Sequence, residues 1–130
     1  MRIYLVRHAE AASGEPDDLR PLTGAGRETA RALGARLAAE GARPDAVLSS
    51  PLLRARETAA ELARALGCEP EPDERLAPGA TADDVRDVVG GRGTAVVVVG
   101  HQPDCGEIAA ELRGGPAPAF PPAGLAVLEL

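Results

Sequence analysis

"TAVVVVGHQP", residues 94–103, decides how this chain folds. Four consecutive valines without polar alternation require a strand covered on both faces, the condition of an interior strand in a parallel sheet. The N-terminal segment RIYLVR, residues 2–7, reads the same way. Working outward, Thr23 offers an N-cap, and Ala30, Leu33, Leu37 and Ala38 recur at helical spacing, so a helix is expected over 24–40 with Gly41 as its stop. A short strand is expected within DAVLSS, 45–50, and Pro51 then opens a helix that runs to about Leu66 and ends at Gly67. The acidic stretch 68–84, with prolines at 70, 72 and 78, allows at most a short edge strand before a helix at 82–90. Pro103 begins a further helix through Leu112, a Pro/Gly loop follows, and LAVLEL, 125–130, closes as a strand. Strands alternating with helices predict an α/β fold, a three-layer α/β/α sandwich with a mostly parallel central sheet.

At 130 residues the chain is expected to form one domain, 1–130. Its 45% hydrophobic and 26% charged content suits a globular protein rather than a disordered one. The net charge of −6 argues against a general nucleic-acid binder. All 14 basic residues are arginine, which reads as a compositional bias, so each arginine must justify a role by position. One tyrosine, one phenylalanine and no tryptophan leave no platform for stacking bases or sugars. Cys68 and Cys105 match neither a metal-ligand spacing nor a disulfide framework, and are expected to be reduced thiols in a cytoplasmic protein. The apolar runs are too short for a signal-peptide core or a bilayer span, so neither export nor a membrane is expected.

Ligands of open α/β sheets bind beyond the carboxyl ends of the strands. Arg7 and His8 follow the first strand; Ser49, Ser50 and then Arg54 follow the second; Gly100 and His101 follow the valine strand. The chain has only two histidines, and both fall at this edge together with arginines. An apolar sheet gains nothing by collecting cations there, whereas an anionic ligand explains them, and phosphate is the anion whose geometry suits arginine forks. A neutral histidine is a competent nucleophile toward phosphorus, and guanidinium groups neutralise charge on the equatorial oxygens as the phosphoryl group passes in line. Such chemistry requires neither a metal nor a cofactor. Glu10, Asp17 and Asp18 are carboxylates whose place must be found. GAGRETA, 24–30, lacks the third glycine of a dinucleotide fingerprint and follows a loop rather than a strand. Ser49 and Ser50 lack the G-x-S-x-G setting of a serine hydrolase, and Ser50 is expected to help cap the helix that carries Arg54.

LVRHAE (5–10), RPLTGAGRETARALGARL (20–37), SSPLLRARETA (49–59) and VVGHQP (98–103) together resemble the histidine phosphatase superfamily, also called phosphoglycerate mutase-like. The short length and the RPLT loop resemble its small SixA-type phosphohistidine phosphatase branch. The resemblance implies that His8 is the nucleophile that becomes phosphorylated, that Arg7 and Arg54 bind the phosphoryl oxygens, and that His101 stabilises the transferred group. Arg20 either reaches the substrate or braces its loop. Larger members of the superfamily carry an acidic proton donor in an insertion that is short here, about 67–94. An ester needs that acid to protonate its leaving alkoxide, whereas phosphohistidine releases imidazole, a far better leaving group. The implied activity is therefore metal-independent removal of phosphate from phosphohistidine on a protein such as a phosphotransfer domain, at a shallow, open pocket. Glu71, Asp73 and Glu74 stay candidates for the acid. The alternatives are a phosphomonoesterase acting on a small phosphorylated metabolite, a sugar or nucleotide phosphate, and a non-catalytic module that binds phosphate or a phosphoprotein.

Overall fold

Successive residues of β1 (Arg2–Arg7) point to opposite faces of the sheet, and both faces are covered: Ile3 and Leu5 join one apolar cluster, Tyr4 and Val6 another. The structure is a computed structural model that describes residues 1–130. With β2 (Ala46–Ser49), β3 (Pro70–Pro72), β4 (Ala95–Gly100) and β5 (Leu125–Glu129), the strands form one sheet in the order β3-β2-β4-β1-β5. Every neighbouring pair is parallel except β1 with β5, which is antiparallel. The valine strand β4 sits at the centre, with Val96 and Val98 on one face and Val97 and Val99 on the other, all buried. β3 lies at an edge, the place in a sheet that tolerates its two prolines.

Helices α1 (Gly24–Ala39) and α2 (Leu53–Leu66) cover the face that carries Tyr4 and Val6, through Leu33 and Leu37 and through Ala55, Ala59 and Leu62. Helices α3 (Ala82–Val89) and α4 (Asp104–Arg113) cover the other, through Val85 and Val88 and through Cys105, Ile108 and Ala109. The three-layer α/β/α sandwich anticipated from the alternation is the observed fold. No helix is long and apolar enough to cross a membrane.

The second helix starts at Leu53 rather than at Pro51. Ser50 still pairs with β4, its amide donating to Val99 O at 3.0 Å, and Leu52 is extended (φ −67°, ψ 142°), so the chain clears the sheet before it winds. Ser50 Oγ accepts from Leu52 N at 3.2 Å, bridging this short extension rather than capping the helix itself. Helix α1 begins where Thr23 predicts, with Thr23 Oγ1 accepting from Gly26 N at 2.9 Å. A Cβ on Gly26 would lie 2.1 Å from Glu10 O, so only glycine lets this helix seat on the backbone just beyond His8.

Candidate active site

Three parallel strands end side by side, and each delivers a polar group to the same edge. Arg7 closes β1 with His8 immediately after it, β2 leads through Ser50 to Arg54 in the first turn of α2, and β4 hands on His101. Backbone bonds hold the junction: His8 N donates to Gly100 O at 2.9 Å, and Ala9 N donates to Thr58 Oγ1 at 3.0 Å. Arg7, His8, Arg20, Arg54 and His101, scattered through the sequence, line one cavity of about 410 Å³.

The ring of His8 is oriented by its own neighbour. Nδ1 lies 2.7 Å from Ala9 O, a carbonyl that only accepts, so Nδ1 carries the hydrogen and Nε2 keeps its lone pair. Nε2 has no protein partner and opens to the cavity. Burial lowers the His8 pKa; the Ala9 bond opposes it in part, and the charges of Arg54, Arg7 and Arg20 lower it further. The ring is therefore neutral near pH 7, the state a nucleophile needs.

His101 stands with its ring centroid 5.2 Å from that of His8, at 60° between planes. Its Nε2 is 2.7 Å from Ser50 Oγ. Only 5% of the residue is exposed, and burial first, then His8 and Arg54, push its pKa down to about 4.

The arginines are held by carbonyls and by one carboxylate. Arg54, 6% exposed, donates from Nη1 to Asp17 O at 2.9 Å and from Nη2 to Asp17 Oδ2 at 3.3 Å. Arg20 donates from Nε to Asp17 Oδ1 at 2.9 Å and from Nη1 to Ala12 O at 3.1 Å, so it braces its loop and lines the cavity at once. The hydrogen bond from Arg20, with the charge of Arg54, holds the Asp17 carboxyl below the usual carboxylate range. Arg7 donates from Nη1 to Phe120 O at 3.0 Å. The Nε atoms of Arg7 and Arg54 are buried without a partner. Three guanidinium groups with donors to spare make a site that attracts a multiply charged oxyanion.

Several contributors escape a reading by residue type. Thr58 is fully buried and accepts from Ala9 N while donating to Arg54 O at 2.8 Å, tying the segment after His8 to the helix turn that carries Arg54. Its position four residues after Arg54 is the one clue in the sequence, since a helical Thr commonly bonds back to that carbonyl. Asp17 is the stray carboxylate that proves to bridge Arg20 and Arg54. Glu10, Ala11, Pro78, Gln102 and Pro122 complete the lining. Glu71, Asp73 and Glu74 do not line the cavity. Glu71 pairs with Arg92, Asp73 pairs with Arg75 and caps the 3-10 turn 74–76, and Glu74 lies in that turn. No group of three or more His, Cys, Asp or Glu gathers as a metal site, and both cysteines are free thiols.

Comparison with known proteins gives a consistent result. A family model described as the histidine phosphatase superfamily (branch 1) matches residues 3–78. An uncharacterized protein of Picosynechococcus sp. (strain ATCC 27264 / PCC 7002 / PR-6) is 38% identical over 123 residues, covering 88% of this chain and 74% of the relative. Among solved structures, the protein histidine phosphatase SixA complexed with tungstate superposes with a TM-score of 0.91 at 28% identity, covering 100% of this chain and 88% of that one. A protein from Agrobacterium tumefaciens carrying the assignment phosphohistidine phosphatase SixA gives a TM-score of 0.85 at 30% identity, covering 98% of this chain and 90% of its own.

Proposed function

The chain belongs to branch 1 of the histidine phosphatase superfamily, and on that premise we propose that it is a metal-independent phosphatase that passes the phosphoryl group through His8 and takes it chiefly from phosphohistidine on a protein, such as a phosphotransfer domain. The observation that carries this reading is the unpartnered Nε2 of a neutral His8, facing a cavity lined by three arginines. In the first step Nε2 forms a bond to phosphorus as the phosphorus–nitrogen bond of the substrate breaks; the substrate ring, protonated on its other nitrogen, takes the electron pair and leaves as neutral imidazole. Arg7, Arg54 and His101 surround the equatorial oxygens, whose charge is what most needs stabilising in this reaction. The Nδ1 hydrogen bond to Ala9 O steadies the phosphorylated ring, which carries positive charge. In the second step water bonds to phosphorus, the Nε2–phosphorus bond breaks, and inorganic phosphate departs.

The choice of substrate has separate support. Glu10, Pro78 and Pro122 are exposed lining residues, so a phosphorylated side chain standing on another protein's surface has access. No carboxylate of the segment 67–94 lines the cavity, and phosphohistidine is the substrate that needs such an acid least. The likeness to the protein histidine phosphatase SixA points the same way.

The test is phosphate release, in the presence of a chelator, from a histidine-phosphorylated phosphotransfer domain and from a panel of phosphomonoesters, by the wild type and His8→Ala. Release chiefly from phosphohistidine and lost in His8→Ala is the expected result. Activity retained by His8→Ala, or abolished by the chelator, refutes the mechanism, and a clear preference for an ester refutes the substrate.

A further inference from the structure

We infer that Glu10 is a catalytic residue of this site, the general acid that protonates an oxygen leaving group, so that the enzyme's range extends from phosphoramidates to phosphate monoesters. The inference rests on the His8 mechanism above and concerns a step which that mechanism leaves unassisted. Glu10 is the only carboxylate whose residue lines the cavity. Asp17 lies close by, but both its oxygens are taken by arginines. His101 has its Nε2 engaged by Ser50. Gln102, the remaining polar residue of the lining, has no proton to give as an acid, and its Oε1 accepts from Gly106 N at 2.9 Å.

The position of Glu10 suits the task. The cavity is graded: Arg54 and His101 are 6% and 5% exposed at its floor, whereas Glu10, Pro78 and Pro122 are exposed at its rim. In-line displacement by His8 sends the leaving group away from the nucleophile, out of the floor and toward that rim. The carboxyl is also anchored on one side only. Glu10 Oε1 accepts from Thr23 Oγ1 at 2.8 Å, and Thr23 is itself fixed as the N-cap of α1, while Oε2 is left without a protein partner. One oxygen is tethered and the other is free to meet a leaving group at the rim.

For an ester the step balances as follows: His8 Nε2 bonds to phosphorus, the phosphorus–oxygen bond breaks, and the electron pair leaving on oxygen takes the proton from the Glu10 carboxyl, releasing an alcohol. Water then bonds to phosphorus, its proton returns to Glu10, and the Nε2–phosphorus bond breaks. A phosphoramidate already protonated on nitrogen leaves as a neutral amine and does not call on Glu10. The dependence on this residue should therefore follow the leaving group.

The experiment is rapid-quench measurement of phosphoenzyme formation in a single turnover, so that later hydrolysis does not enter, with wild type and Glu10→Gln on glycerol 2-phosphate, p-nitrophenyl phosphate and phosphoramidate. Gln keeps the acceptor for Thr23, and near-normal transfer from the two good leaving groups shows that the variant is folded. We expect the rate from glycerol 2-phosphate to fall by about 10²-fold or more, and the other two to change by less than about threefold. Equal losses on all three substrates, or no loss on glycerol 2-phosphate, overturn the role. Wild type that is phosphorylated by phosphoramidate but never by glycerol 2-phosphate also overturns it, with the His8 mechanism intact. Wild type that forms no phosphoenzyme from any of them refutes the His8 mechanism, and the role of Glu10 with it.

Discussion

Acidification should destabilise this fold through His101, by an amount that the site itself sets. The imidazole has an ordinary pKa of 6.5 in the unfolded chain and is pushed down to about 4 in the fold. Between those values the unfolded state holds a proton that the folded state refuses, so stability is fully present above pH 6.5 and is lost as pH falls toward and through 4. Each pH unit of that interval is worth about 1.4 kcal/mol, so the whole loss is roughly 3 kcal/mol, and about 2 kcal/mol of it has occurred by pH 5. His8 is shifted in the same direction by its burial and adds to the loss. Carboxylates held low by arginines, Asp17 and Asp73 among them, remain ionised at pH 5 and contribute little there. The assay is urea unfolding at pH 7.5 and pH 5 for wild type and His101→Gln, whose amide stays neutral at both. Wild type should lose about 2 kcal/mol more than the variant between the two conditions. Equal losses in the two proteins would mean that burial does not disfavour the His101 imidazolium and would refute the depressed pKa of His101.

Two further outcomes follow from the contacts around the cavity. Thr58→Val keeps the shape but leaves the buried Ala9 N without an acceptor, and should cost about 2 kcal/mol in denaturant unfolding; unchanged stability would show that the bond does not hold the His8 segment. Asp17→Asn removes an anion that shares Arg20 and Arg54 with any bound phosphate. At an effective dielectric between protein surface and water the relief is about 1 kcal/mol, so inorganic phosphate should bind about fivefold more tightly by calorimetry at low salt. The gain should shrink as salt is raised, and weaker binding at every salt concentration would show that Asp17 orients the arginines more than it competes for them.

Which parts of this protein were legible in its sequence follows from how far each depends on neighbours in the chain. The sheet was legible because an unbroken valine run admits one kind of environment, and β1 and β4 do pair along their whole length. The convergence of Arg7, His8, Arg54 and His101 was legible for a topological reason: parallel strands must end at the same edge, so whatever follows them is gathered there. Helix α2 starts later than Pro51 suggests because a proline at a favourable position says nothing of the pairing that keeps Ser50 on β4 for one residue more.

What stayed hidden are contacts set by loop paths. Asp17 reaches Arg54 across 37 residues, and Thr58 reaches Ala9 across 49. No spacing rule links such pairs, since neither a helix nor a strand carries both members. The sequence offers Glu71, Asp73 and Glu74 of the segment 67–94 as candidate acids, yet Glu71 and Asp73 are spent on Arg92 and Arg75, while Glu10, the carboxylate residue of the cavity lining, stands only two residues beyond His8. Its neighbour Ala11 pairs with Leu22 in an isolated bridge, and that bridge, together with the close seat of Gly26 on Glu10 O, turns the chain so that Glu10 lies at the rim. Any side chain at position 26 would put its Cβ 2.1 Å from Glu10 O, so the requirement for glycine in the first turn of α1 is set by the rim of the cavity as much as by the helix.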